Sequence, residues 1–254
     1  MKLKVLGCNG GIGGGAHTTA MLLDEDILID AGTGVGNLSL EELLKIDHVF
    51  VTHAHLDHIA FIPFLVDTVG CQREQPLIVH ALPETLGSLQ QHIFNWHIWP
   101  DFTKIPNTTR PYMCLESFSV GTAIVLNGRR ITPLPSNHTV PSVGFWLDSG
   151  QASLAFTGDT TTHDPFWEMI NQIDNLRYLI IESAFSNAKQ DIAIRSKHFY
   201  PALLMEEFKK LQRDVDIYIT HLRQEEAEQT MREIMAGVSG LHPQRLLCQQ
   251  LFEF

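Results

Sequence analysis

Three imidazoles and a carboxylate crowd into the six residues His53-Ala54-His55-Leu56-Asp57-His58. The box follows the apolar run Val49-Phe50-Val51 and precedes a helical pattern beginning near Ile59. Donors at the end of a strand are held by a rigid element and converge outside the sheet. Imidazole nitrogens and carboxylate oxygens suit zinc, manganese or iron, and no thiol stands in the box to favour a closed structural zinc site. The chemistry indicated is a metal centre.

Two ions at about three or four protein ligands each need more donors than one box supplies. Three more occupy the same kind of place, each at the end of an apolar, β-rich run. His138 follows Ile131 to Leu134, Asp159 follows Leu154-Ala155-Phe156, and His221 follows Ile217-Tyr218-Ile219-Thr220. Singly each is a weak signal. The recurrence of one placement carries the reading.

The elements that must position these donors are mostly strands. Strand-like runs cover Lys2 to Leu6, Thr18 to Leu23, Ile27 to Asp30, Leu77 to Val79, Ala123 to Leu126, Ser153 to Phe156, Tyr178 to Ile181 and Ile217 to Ile219. Helical patterns open at Pro83, at the pair Asp164-Pro165 read as N-cap and N1, and at Pro201. Gly11-x-Gly13 with Asp30 imitates a dinucleotide fingerprint, but strand-like sequence follows the glycines where that motif needs a helix. The glycines of 7–15 are therefore expected as a loop close to the site. The strands fall into two groups, roughly 2–156 and 178–254, which predicts two sheets with helices outside. No repeat or linker interrupts them, so residues 1–254 read as a single domain with an aromatic, proline-rich insertion at about 95–112.

Composition narrows the function classes. A chain of 254 residues, 44% hydrophobic, can bury a large core. It has no apolar run of about 18 residues, so no membrane span is expected, and its N-terminus lacks a secretory pattern. Cys8, Cys71, Cys114 and Cys248 are widely scattered and read as reduced thiols of a cytoplasmic protein. A net charge of -11 argues against a long nucleic acid as partner, since such binding wants a basic face. A small phosphate ester stays open, because bound divalent ions invert the local charge.

His53-x-His55-x-Asp57-His58, His138, Asp159 and His221 resemble, in order and over nearly the whole chain, the ligands of the metallo-β-lactamase superfamily. The resemblance implies an α/β fold, a four-layer αββα sandwich of two mixed sheets with a dinuclear site at the sheet edges. It implies that His53, His55 and His138 hold one divalent ion, Asp57, His58 and His221 the other, with Asp159 between them. Zinc is the first choice, with Mn2+ or Fe2+ compatible. Asp159 stands where antibiotic-hydrolysing members typically have a thiol or no bridging carboxylate, which points away from lactams. His55 stands where the di-iron members typically carry a carboxylate, which points away from redox chemistry.

Three further stretches are similar to the class II cyclic-nucleotide phosphodiesterases. They are His92-Ile93-Phe94-Asn95 running on to Ile98-Trp99-Pro100-Asp101-Phe102, then Ile181-Glu182-Ser183-Ala184-Phe185, and Ser196-Lys197-His198-Phe199-Tyr200-Pro201. Phe61-Ile62-Pro63-Phe64 and Leu222-Arg223-Gln224 depart from that family's pattern. The expected reaction is hydrolysis of a 3′,5′-cyclic nucleotide to the 5′-monophosphate by a metal-bridging hydroxide. Asp57 would accept a proton or hold the nucleophile, and His198, paired with Glu182, would protonate the leaving 3′-oxygen. The alternatives are an endoribonuclease of the tRNase Z type, another phosphodiester hydrolase of this fold, a thioester hydrolase of the glyoxalase II type and a non-hydrolytic scaffold. The aromatic segment reads either as an arm stacking on a base or as a cluster packed on the domain, and it is compatible with a homodimer. His17, His48, His80, His92, His97 and His242 read as structural, with His163 the one exception entertained for its nearness to Asp159.

Overall fold

The computed structural model describes residues 1–238 and 240–254. Its first sheet contains β1 (Lys2–Gly7), β2 (Ala20–Leu23), β3 (Ile27–Ala31), β4 (His48–Phe50), β5 (Leu77–Ala81) and β6 (Met113–Ser117). Its second contains β7 (Ile124–Leu126), β8 (Arg129–Pro135), β9 (Val143–Asp148), β10 (Ser153–Phe156), β11 (Leu176–Glu182), β12 (Asp216–Thr220) and β13 (Gln244–Arg245). The last strand, β14 (Leu251–Glu253), returns to pair antiparallel with β1 at the edge of the first sheet. Each sheet is mixed: β3 to β6 and β10 to β13 run parallel, the remaining neighbours antiparallel.

The sheets stack because their strands are apolar on both faces. Along β2, Ala20 and Leu22 face one core while Met21 and Leu23 face another. Along β11, Tyr178 and Ile180 face the space between the sheets, and Leu179 and Ile181 the opposite side. A side-chain period of two splits such runs between two interfaces, which is why they read as continuous hydrophobic stretches. The helices α1 (Leu40–Leu44), α2 (Leu56–Ile59), α3 (Ile62–Val69) and α4 (Pro83–His92) contribute Leu43, Leu44, Ile59, Ile62, Leu65, Val66 and Leu89 to the outer core of the first sheet. Of α5 (Asp164–Ile170), α6 (Gln190–Ser196), α7 (Pro201–Phe208) and α8 (Ala227–Gly237), three cover the second through Phe166, Trp167, Leu204, Phe208 and Ile234. The result is the four-layer αββα sandwich expected from the sequence.

The division between sheets differs from the expected one. It falls between β6 and β7 rather than between 156 and 178, and β14 crosses back to the first sheet. β10 and β11 are parallel neighbours, joined through α5. β6 and β9 were not anticipated as strands; in β9 a glycine interrupts the apolar run, and a Cβ at Gly144 would lie 2.3 Å from the carbonyl oxygen of Phe156. The helix after the histidine box begins at Leu56, so Asp57 and His58 ride on it. Asp164 is the first helical residue of α5, with His163 at the cap. The segment 95–112 forms no strand or helix. Its Phe102, Trp99, Ile105 and Tyr112 pack into the outer core of the first sheet, while Trp96 and Ile98 stay exposed.

Candidate metal centre

The C-terminal ends of β4, β8, β10, β11 and β12 meet at one edge of the sandwich, and every donor singled out in the sequence follows one of them. The backbone N–H of Val143 donates to the carbonyl of Thr52 at 3.0 Å, tying the two sheets together directly beneath the box. Two donor sets result. His53, His55, His138 and Asp159 offer one ligand atom each within 4.8 Å of one another, as do Asp57, His58, Asp159 and His221. Asp159 belongs to both. A third group within the same distance joins Asp159 to Glu182 and His198.

Burial and orientation suit this cluster to metal binding. His53, His58, His138, Asp159 and His221 are buried, while Asp57 and His55 are partly open. His53 Nε2 lies 3.6 Å and His58 Nε2 3.3 Å from one Asp159 oxygen, and His221 Nδ1 lies 3.2 Å from the other. These three buried nitrogens make no hydrogen bond. Unpaired buried polar atoms converging on a carboxylate are costly unless a cation joins them, so the donor set fits a metal. Burial holds His53 well below the ordinary imidazole range and brings His138 and His221 down to about 4. They are therefore neutral at pH 7, the form that ligates. Burial would lower His58 too, but the carboxylates of Asp159 and Asp30 lift it well above 6.5.

Residues that the sequence did not flag as functional hold these rings. Asp30, fully buried at the end of β3, accepts from His58 Nδ1 at 2.7 Å and from the Thr52 N–H at 2.7 Å. The Thr52 hydroxyl also reaches His53 Nδ1 at 3.0 Å. The Lys197 carbonyl lies 3.1 Å from His138 Nδ1, and its ammonium donates to the His138 carbonyl and to Asn137. Such partners fix which ring nitrogen is free for an ion. A buried aspartate ending an apolar strand is a signal the sequence does carry, because a carboxylate is almost never buried without partners.

The backbone is strained at the same place. Asp30 and His221 have φ of 58° and 59°, a left-handed conformation uncommon for residues with a side chain. The His221 N–H donates to the Cys8 carbonyl at 2.8 Å, which holds it there. The glycine loop lies against this residue as expected: a Cβ on Gly10 would be 2.6 Å from the His221 carbonyl oxygen.

Glu182 and His198 lie against Asp159. His198 Nδ1 lies 2.8 Å from Glu182 Oε1, and the second Glu182 oxygen accepts from the N–H of Ala184. Burial would lower His198, but the charge and hydrogen bond of Glu182 overcome it and raise the imidazole to about 9. The His198 ring stacks on His221 with centroids 5.2 Å apart and meets His138 edge-on at 4.9 Å. His163 is in none of the three groups; it lines a small pocket with Thr160, Thr161 and Phe166.

The family described as Beta-lactamase superfamily domain matches residues 25–238. A 3′,5′-cyclic-nucleotide phosphodiesterase of Aliivibrio fischeri is 24% identical over 270 residues, covering 86% of this chain and 80% of the relative. A probable 3′,5′-cyclic-nucleotide phosphodiesterase of Yersinia pestis is 26% identical over 185 residues, covering 66% of this chain and only 52% of the relative, about half its length. A ribonuclease Z of Halorubrum lacusprofundi is 29% identical over 150 residues, 54% of this chain and 46% of the relative. Among solved structures, unliganded yeast PDE1 superposes with a TM-score of 0.83 at 17% identity, covering 98% of each chain.

Proposed function

The chain belongs to the β-lactamase superfamily, and within that fold we propose that it is a two-metal phosphodiesterase hydrolysing a 3′,5′-cyclic nucleotide to the 5′-monophosphate. The observation that carries the reading is the buried Asp159–Glu182–His198 group set against two donor sets that share Asp159. Hydrolysis of a phosphodiester needs charge neutralised at phosphorus and a proton delivered to the leaving oxygen. Both provisions lie side by side here.

We assign one divalent ion to His53, His55 and His138 and a second to Asp57, His58 and His221, with Asp159 common to both; zinc is the first candidate and Mn2+ or Fe2+ fits the same donors. Ions in these sets would supply Lewis-acid stabilisation and hydroxide at neutral pH. The protein's own groups do the rest. Asp57, partly open beside the ring of His221 at 3.6 Å, orients the attacking water and takes its proton. Glu182 keeps His198 charged, and His198 donates to the departing 3′-oxygen. His198 lies just before α7, which opens at Pro201, but Pro201 has no N–H and the Ala202 N–H donates to Asn187 Oδ1 at 2.8 Å, so the proton donor here is the imidazole.

The cyclic-nucleotide assignment is supported by the Aliivibrio fischeri relative, whose match spans most of both chains. The ribonuclease Z relatives favour a second reading, cleavage at an RNA end. Metal-loaded protein should be assayed on 3′,5′-cyclic AMP, cyclic GMP, bis(p-nitrophenyl) phosphate and a tRNA precursor. The proposal expects chelator-sensitive release of a 5′-monophosphate from at least one cyclic nucleotide. Cleavage of the precursor with no turnover of either cyclic nucleotide would replace it with the second reading.

A further inference from the structure

Cys8, whose carbonyl accepts from the His221 N–H, and Cys248 form a pair of sulfurs that the proposed reaction does not use. Cys8 Sγ is buried and stands 3.9 Å from Cys248 Sγ. Both thiols are free. Cys248 is half-buried and opens on a cavity of about 190 Å³ lined also by Asn9, Gln224, Arg245 and Leu247. Asn9 Nδ2 approaches its sulfur at 4.0 Å. Cys8 lines the same cavity but is buried, so Cys248 is the more exposed sulfur of the pair, with Arg245, itself paired to Glu228, in the lining. That is the arrangement of an attacking and a resolving thiol.

We propose that Cys248 and Cys8 form a dithiol site that reacts with small disulfides of the glutathione type and closes to an intramolecular disulfide. The Cys248 thiolate attacks one sulfur of the incoming disulfide, forming a mixed disulfide and expelling one thiolate. Cys8 then loses its proton and attacks the Cys248 sulfur, forming the Cys8–Cys248 bond and expelling the second thiolate, which takes up that proton. Two protein thiols are oxidised and one small disulfide is reduced to two thiols. The contact between the two sulfurs favours the first step, pulling the Cys248 thiol down to about 6 against burial. The same contact and burial push the Cys8 thiol up, so Cys8 becomes the nucleophile only after Cys248 has reacted.

Closure requires the sulfurs to approach from 3.9 Å to about 2.05 Å. Cys8 is anchored: its N–H donates to the His17 carbonyl, and its carbonyl accepts from the His221 N–H and the Thr220 hydroxyl. Cys248 sits in a turn in which the Gln250 N–H donates to the Leu247 carbonyl at 3.2 Å, so the movement falls there. The bond would join positions 240 residues apart and restrict the unfolded chain over nearly its whole length.

The full, metal-loaded and reduced protein should be incubated with oxidised glutathione and mapped by mass spectrometry of non-reduced peptides. The expected product is a Cys8–Cys248 linkage, formed about tenfold or more faster than a mixed disulfide at the exposed Cys71. The oxidised protein should melt several degrees higher, reversibly with a thiol reductant. Cys8→Ser should trap glutathione on Cys248. Cys248→Ser, at the more exposed position, should abolish the linkage and leave Cys8 unmodified. Modification of Cys71 without the linkage, or a linkage that forms only in denaturant, would overturn the proposal.

Discussion

In the proposed reaction His198 gives up a proton at neutral pH, which needs a neighbour that keeps it charged, and Glu182 lies 2.8 Å away. His198→Ala should lower turnover of a cyclic nucleotide by about 10²–10⁴-fold while the metal content stays that of the parent. The loss should shrink greatly with bis(p-nitrophenyl) phosphate, whose nitrophenolate departs without a proton. An equal loss on both substrates would remove His198 from the proton-transfer role. Asp30 acts one step further out, holding the His58 ring and the Thr52 N–H. Asp30→Asn keeps a side chain that tolerates the left-handed backbone but loses the charge, and should weaken metal binding by about 10–100-fold. Competition with a chromogenic chelator measures this directly, and parental affinity would deny Asp30 the role.

Strand ends were legible in the sequence because each donor closes an apolar run, and the runs are apolar on both faces. Asp30 carried a signal, a carboxylate closing an apolar run, but its partner His58 arrives from another part of the chain, and Lys197 was not legible because it acts on the distant His138. The sheet boundary was hidden for a related reason: β10 and β11 look alike from either sheet, and only the β-pairing of residues 153–156 with 176–180 joins them. The β4–β5–β6 ladder carries another through-space feature. His48 Nδ1 lies 3.0 Å from His80 Nε2, and Glu116 lies 3.6 Å from the other His80 nitrogen. Asp26, Asp47 and Arg129 act on the His48 side. Burial, reinforced by His48, lowers His80 to about 4. The unfolded chain takes up this proton below about 6.5 and the folded one does not. Stability is therefore fully present above that pH and is lost as pH falls toward 4, by about 2–3 kcal/mol. Denaturant melts of the parent and His80→Gln at pH 7 and pH 4 should show a smaller acid loss in the variant. Equal losses would mean that this pair is not titrating as described.

At the scale of the whole molecule, the charge balance bears on the choice between a small phosphodiester and an RNA end. With a net charge of -11, the chain's field repels an anionic substrate at long range, and the attraction must come from ions and donors inside the site. A protein that grips a polyanion does so through many phosphate contacts and pays for it in salt sensitivity, losing about 10³–10⁵ in affinity between 50 and 200 mM salt when six to ten phosphates are engaged. A cyclic nucleotide offers one phosphate. Its kcat/KM should therefore change by less than about threefold over that range, and any trend should be upward, as salt screens the repulsion. The exposed Trp96 and Ile98 do not alter this expectation, since neither supplies charge. A fall of about tenfold or more with salt would reveal several phosphate contacts per turnover. That result would contradict a single-phosphate substrate and shift the assignment to the end of an RNA chain.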